Sequence, residues 1–340
     1  MDIVFGSIRI LFSTLTGPIT RNLSTGGPLT DHEPSGFYLG NWFIRQTFKY
    51  LFMLIYRPRH TKFLHLIGRE NVEEALKLHQ QGYQIVLVAN HRSCVDVWII
   101  PAILWLHGFR TLAEFGFFSI IGLKFFRHWY FRWLIKIGPR VAIAPESLRP
   151  KLDGLPRQKL RVQVARFRKI NQEAVKVTQE QLRNGKWAFL FPEGTRSRSG
   201  ILQKLNKNFL KLFLDEQGKL DPNTRIVLLP VALTGTWETW PPESSVFHWK
   251  PRHPVTMVVG KPLLLLTLRE QAEVIAGVYN TGVESAAADL ITYELASLLQ
   301  DQGHADLCGE FNLPWSKRYG SKEVRDGREN GKVPFKPTAV

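Results

Sequence analysis

The chain has 340 residues, of which 44% are hydrophobic and 22% charged; this is the balance of a folded protein, with length for one large or two ordinary domains. Two cysteines, Cys94 and Cys308, without CxxC spacing, and histidines without a ligand-spaced pair argue against a disulfide framework, a thiolate zinc site or any other metal centre. A net charge of +16 calls for an anionic partner, which could be a membrane surface, an acidic protein, a phosphorylated substrate or a nucleic acid.

The N-terminus, MDIVFGSIRILFSTL, opens with an acid and carries Arg9 inside its apolar stretch, unlike a secretory signal. The expected location is therefore the cytoplasmic face of a membrane. No segment offers the roughly 20 apolar residues of a spanning helix. The longest apolar run, Val97 to Leu106, reads as a buried helix.

Two segments carry amphipathic patterns suited to a lipid headgroup boundary. In Asn41 to Tyr56, Arg45, Gln46 and Lys49 form a narrow polar stripe among aromatic and aliphatic residues. In Phe117 to Lys136, read as a helix, Lys124, His128, Arg132 and Lys136 recur every four residues beside Trp- and Phe-rich faces. Both suit an anionic membrane surface.

Short β-rich runs follow at Phe63 to Ile67, Gln84 to Ala89, Arg140 to Ala144, Trp187 to Phe191, Arg225 to Leu233 and Val255 to Val259. Helical patterns lie between them at Asn71 to Gln81 and at Arg157 to Arg183, with Gly185 as C-cap. Further helices are expected at Ile201 to Leu214 and Ala286 to Gln300. The alternation predicts an α/β fold with a mixed, largely covered sheet flanked by helices. Four parts are expected. They are a membrane-associating segment with amphipathic helices over 1–60, a catalytic domain over 61–265, a helical extension over 266–305, and a polar tail over 306–340.

Residues 151–216 hold 15 basic and 6 acidic side chains, a net of +9. Arg157, Lys159, Arg161, Arg166, Arg168 and Lys169 follow one another without an acid between them. The run reads as a solvated helix face. A nucleic-acid partner is not expected, because no recognition motif accompanies it.

Two strand ends carry chemistry. In ANHRSCVDVW, Ala89 to Trp98, His91 sits on the turn after an apolar strand, at the sheet edge where α/β folds place ligands. Five steps along a regular helix turn by about 140°, so His91 and Asp96 can meet only if His91 folds back over the first helical turn. Asp96 has a second reading as the carboxylate of a Ser93-to-Asp96 capping box. In GKWAFLFPEGTRSRSG, a second apolar strand runs into Glu193, Gly194, Thr195, Arg196, Ser197 and Arg198. Two arginines, hydroxyls and a glycine that lets backbone approach suit a phosphate monoester.

NHRSCVD followed by FPEGTRS resembles the blocks of the glycerolipid acyltransferases, which act on glycerol-3-phosphate or 1-acylglycerol-3-phosphate. The apolar, proline-bearing IVLLPVAL, Ile226 to Leu233, is similar to that family's fourth block. The resemblance spans about residues 84–235. It implies acyl transfer, without a cofactor, from an acyl-CoA or acyl carrier protein thioester to a hydroxyl of a glycerol phosphate or lysophospholipid acceptor. It also implies His91 as base, Asp96 as its orienting partner, and Glu193, Gly194, Thr195, Arg196 and Arg198 at the acceptor's phosphate. The second block departs from the pattern, because the expected arginine falls near Pro145; Arg140 or Arg149 is the candidate substitute. Cys94 beside His91 leaves a covalent acyl-enzyme as a lesser alternative. A non-catalytic membrane-shaping relative would have no need to keep His91, Asp96 and Arg196.

Overall fold

The computed structural model describes residues 63–312, except 94, 111, 113–116, 123–139, 145–155, 214–224, 243–249 and 251–252. Eight strands form one sheet in the order β1-β7-β6-β2-β5-β3-β4, with β8 also paired to β6. They are β1 (Leu64–Ile67), β2 (Gln84–Ala89), β3 (Phe117–Gly122), β4 (Arg140–Ile143), β5 (Trp187–Leu190), β6 (Ile226–Thr234), β7 (Val255–Val259) and β8 (Leu263–Leu264). The pairs from β6 through β2, β5 and β3 to β4 are parallel, whereas β7 and β8 run antiparallel to β6. The sheet is therefore mixed, as expected.

The alternation of side chains along each strand feeds two cores. Ile85, Leu87 and Ala89 of β2 face one side, with Val227, Leu229 and Val231 of β6. Helices α1 (Arg69–Gln80) and α2 (Asp96–Leu106) cover that side through Val72, Ala75, Ile99, Ile100 and Ile103. Val86, Val88, Ile226 and Leu228 face the other side. There α3 (Arg157–Arg183), α5 (Leu265–Tyr279) and α6 (Val283–Asp301) pack; α4 (Thr236–Thr239) is a single turn after β6. Apolar runs without polar alternation, such as QIVLVA and IVLLPVAL, are what a sheet buried on both faces requires.

Pro230 lies inside central β6, where a missing N–H would ordinarily cost a ladder bond. Its carbonyl accepts from Gly260 N at 2.9 Å, so its ring nitrogen faces the same side, opposite the break between β7 and β8. The proline sits where the ladder is already interrupted.

Two expectations are corrected. Phe117–Gly122 is not the start of a helix but strand β3, pairing with β5 and β4. Aromatic and β-branched residues found partners on both sides, and the pairing outweighed the helical pattern downstream. The basic stripe from Lys124 to Lys136 and the segment Asn41 to Tyr56 lie outside the described residues. Ile201–Leu214 is not an α-helix: only Lys207–Leu212 coils, as a 3-10 helix, behind an Asn206 side chain that accepts from Asn208 N at 2.9 Å. Among the described residues no helix is long and apolar enough to cross a membrane.

Candidate active site

Three neighbouring strands, β6, β2 and β5, send their C-terminal loops to the same edge of the sheet. The loop after β2 carries His91 and the loop after β5 carries Glu193 to Gly200. The register Val88↔Leu190 continues outward to set His91 level with Glu193.

His91 lies in the turn and α2 opens at Asp96. The imidazole Nδ1 stands 2.9 Å from Asp96 Oδ2. The same oxygen accepts the backbone N–H groups of Arg92 and Ser93, each at 2.7 Å. The capping-box reading is corrected: the helix starts at Asp96 with Val95 as N-cap and no side-chain cap, and Ser93 Oγ bonds Trp240 O instead, so Asp96 ties the backbone of the turn to the histidine ring. A carboxylate oxygen only accepts, so Nδ1 is the donor here, and in the neutral ring Nε2 then keeps the lone pair.

The second motif grips the histidine backbone. His91 N donates to Glu193 Oε1 at 2.9 Å. His91 O accepts from Ser197 N at 2.8 Å. The Phe191 ring stacks on the imidazole, 4.0 Å between centroids and 12° from parallel. The His91 side chain is left 10% exposed. Glu193 is itself buried, and burial pushes its carboxyl well above the usual range, against the lowering effect of the His91 N–H.

The third loop closes the turn from the β6 side. Asn90 Oδ1 accepts from Leu233 N at 2.7 Å, and Asn90 Nδ2 donates to Leu233 O at 3.1 Å. Its amide continues the β2–β6 ladder one step past the strand. Ser93 Oγ donates to Trp240 O at 2.6 Å. Buried Arg92 donates from Nε to Gly200 O at 2.7 Å and reaches Glu238 at 3.4 Å. Gly200 has φ +75°, and a Cβ there would come 3.0 Å from the Arg92 guanidinium and 3.1 Å from the Trp237 ring.

The rest of the FPEGTRSRSG turn is more open. Gly194, Thr195 and Arg196 are half-buried and Arg198 is exposed. Gly194 has φ +71°, and a Cβ on it would meet nothing within 4 Å among the described residues. The backbone conformation favours glycine there, and among the described residues nothing stands over it. Arg196 Nη1 lies 3.5 Å from Pro242 O, and Arg198 O accepts from Trp237 Nε1 at 3.1 Å.

Arg140 is placed differently. It opens β4, level with Ser119, and through β3 and β5 with Leu87. It is three strands from β2 and four residues short of His91, a backbone separation of about 20 Å from strand spacing and rise. The end of β4 that shares the His91 edge is Ile143. Pro145, Arg149 and Cys94 lie outside the described residues. Among the described residues no group of three or more His, Cys, Asp or Glu side chains could hold a metal ion.

Sequence reasoning missed Arg92, Phe191 as a stacking platform, and the whole of the third loop. The available signal was GTWETWPP, an aromatic-rich turn directly after the strand IVLLPVAL.

A covered α/β sheet with a histidine–carboxylate pair at the carboxyl ends of its strands defines the class of protein. The model of the Acyltransferase family matches residues 64–234, half of the chain, and the chain belongs to that family. It is 25% identical over 228 residues to 1-acyl-sn-glycerol-3-phosphate acyltransferase LPAT1, chloroplastic, of Arabidopsis thaliana, with 62% of this chain and 52% of that protein covered. The chain thus spans about half the length of this curated relative. Among solved structures, PlsC, the 1-acyl-sn-glycerophosphate (LPA) acyltransferase of Thermotoga maritima, aligns at 19% identity and a TM-score of 0.38, covering 74% of this chain and 79% of that one.

Proposed function

We propose that the protein transfers a fatty acyl group from a thioester, acyl-CoA or acyl carrier protein, to the free hydroxyl of a glycerol phosphate lipid precursor, 1-acylglycerol-3-phosphate above all. The observation that carries this reading is the 2.9 Å contact between His91 Nδ1 and Asp96 Oδ2 at the carboxyl edge of the sheet. It supports Nε2 as the general base.

An alcohol is a poor nucleophile toward a thioester until a base takes its proton. As the acceptor oxygen bonds to the thioester carbon, its proton passes to His91 Nε2. The tetrahedral intermediate then collapses, the C–S bond breaks, and the proton returns from Nε2 to the leaving thiolate. Asp96 holds the ring and stabilises the imidazolium that forms between the two steps. His91 acts directly on the acceptor, and no covalent enzyme intermediate is needed.

Arg196, with Arg198, Thr195 and the open space over Gly194, binds the acceptor's phosphate and sets its hydroxyl beside His91. Glu193 has another task. A phosphate offers only acceptors and negative charge, whereas Glu193 Oε1 is engaged with the His91 N–H. Glu193 is the tether that keeps the base beside the phosphate turn. The acceptor is a membrane lipid, so the enzyme works at an anionic bilayer surface, on its cytoplasmic face.

The test is turnover of purified protein against each pairing of donor (acyl-CoA, acyl carrier protein) with acceptor (glycerol-3-phosphate, 1-acylglycerol-3-phosphate, other lysophospholipids), with products read by mass spectrometry. Phosphatidate from the 1-acyl acceptor is the expected product. Preferred acylation of glycerol-3-phosphate or of another lysophospholipid would replace that acceptor. Thioester hydrolysis without acyl transfer would overturn the reaction.

A further inference from the structure

The basic run of α3 takes no part in the chemistry above, yet its position is set by two fixed points. Leu182, near the C-terminal end, is in the core, and the turn at Gly185, φ +75°, leads into the start of β5. Asn171 clasps Ala144, the residue after β4, accepting from Ala144 N at 2.8 Å and donating to Ala144 O at 3.2 Å. Because β4, β3, β5 and β2 are parallel, Ala144 lies at the same sheet edge as His91. Helix α3 therefore runs antiparallel to β5, and its residues N-terminal to Asn171 lie past the end of β4, on the side of the sheet edge that carries the site.

That stretch spans residues 157–170, about 21 Å at the rise of an α-helix. None of its residues is fully buried, although Leu160, Val164, Phe167 and Ile170 are half-buried along one face; Ala174, Val177, Thr178 and Leu182 all lie on the other side of Asn171. Arg157, Lys159, Arg161, Arg166, Arg168 and Lys169 are all exposed. Among the described residues none of the six is in an ion pair. On the helix, Arg157, Arg161 and Arg168 line one flank and Lys159 and Arg166 the other. Between the flanks lie Lys169, Ala165 and Val162, the valine 63% exposed.

We infer that the N-terminal half of α3 is a docking arm for an anionic bilayer surface, which holds the His91 edge of the sheet toward the lipid. The cations diverge over half the helix circumference and along its length. A phosphate-bearing small molecule would need them to converge on one point. An extended negative surface meets both flanks together, with the exposed valine against the headgroups. The arm rests on the proposed reaction for its purpose, but its binding needs no turnover and is tested apart from that reaction.

The experiment is flotation of the full chain with phosphatidylcholine vesicles containing or lacking phosphatidylglycerol. The variant R157Q/R161Q/R168Q removes one flank; R157K/R161K/R168K keeps its charge. Each lost cation is expected to weaken binding to anionic vesicles about fivefold, and the triple glutamine variant about a hundredfold. The lysine variant should bind like wild type. Binding to neutral vesicles, and turnover of a short-chain, water-soluble acceptor without vesicles, should not change. Three results would overturn the arm. One is glutamine-variant binding to anionic vesicles within about twofold of wild type. Another is a raised KM for acyl-CoA in solution, which would make the arm a donor site. The third is a vesicle-free loss confined to acyl carrier protein, which would make it a protein-docking surface.

Discussion

The two turns that meet at the site differ in kind. In the turn Asn90 to Asp96 the described side chains are buried and held by named partners: Asn90 on Leu233, His91 on Asp96, Arg92 on Gly200, Ser93 on Trp240. In Gly194 to Arg198 the arginines are half-buried or exposed and the glycine faces open space. The first turn is built to hold one ring in one tautomer. The second is more open to solvent, with Arg196 half-buried and Arg198 exposed. On the proposed reaction the contrast has a reason: a base must be preorganised, because misplacement costs rate directly, whereas a phosphate anchor must admit and release its ligand.

Removing the proposed base should have the largest effect. His91→Ala is expected to lower turnover by roughly two to four orders of magnitude, the ordinary worth of a general base. A steady-state assay showing more than about half of wild-type turnover would move the chemistry out of the closed turn.

Arg196→Ala comes next and tests the open turn. Loss of a charge-assisted hydrogen bond should cost about 10- to 150-fold in kcat/KM for the acceptor. The loss should fall more on acceptor KM than on kcat, and leave donor KM nearly unchanged. Arg196→Lys should recover only part of it, since an ammonium lacks the planar fork. An equal loss with a phosphate-free glycerol acceptor would show the turn to be scaffold.

Asn90→Ala should act on stability. It leaves the Leu233 N–H and C=O buried without their partner, at about 1–3 kcal/mol. Urea denaturation reads this as a lower midpoint. An unchanged midpoint would mean the closed turn is held without its splice to β6.

The smallest effect belongs to Glu193→Gln. Burial raises the Glu193 carboxyl in the folded state. Its contribution to stability is therefore full below the ordinary glutamate range and lost as pH rises through the elevated value. Glutamine can accept the His91 N–H without ionising. The variant should lose less stability than wild type between mildly acidic and alkaline pH, and keep most of its turnover. Parallel stability–pH curves would show that the carboxyl does not titrate in that window.

Much of the fold was legible because burial on both sheet faces writes long apolar runs. Gln84–Ala89, Val255–Val259 and Arg157–Arg183 were bounded as observed. Strand β3 was not, because its apolar run leads directly into a helical pattern of basic residues and local periodicity cannot say which prevails. The candidate site was half legible. His91, Asp96 and the FPEGTRSRSG turn stand out because polar clusters directly after apolar strands are uncommon and chemically pointed. Arg92 was silent and the loop Gly235–Pro242 offered only its aromatic content, because a buried arginine and a tryptophan-rich turn take meaning only from what they touch.

The amino-acid sequence by itself marked six of the eight strands, the candidate base with its carboxylate, and the density of anion-binding groups, since these depend on residue type and short spacing. Tertiary structure alone decided that β2 and β5 are neighbours in a register that sets His91 level with Glu193, 102 residues away. It also decided that Arg140 begins its strand away from the site edge and that the basic half of α3 lies past the end of β4, on the side of that edge. Those are matters of strand order and helix direction. They are settled by which apolar faces bury one another, and no local pattern encodes that choice.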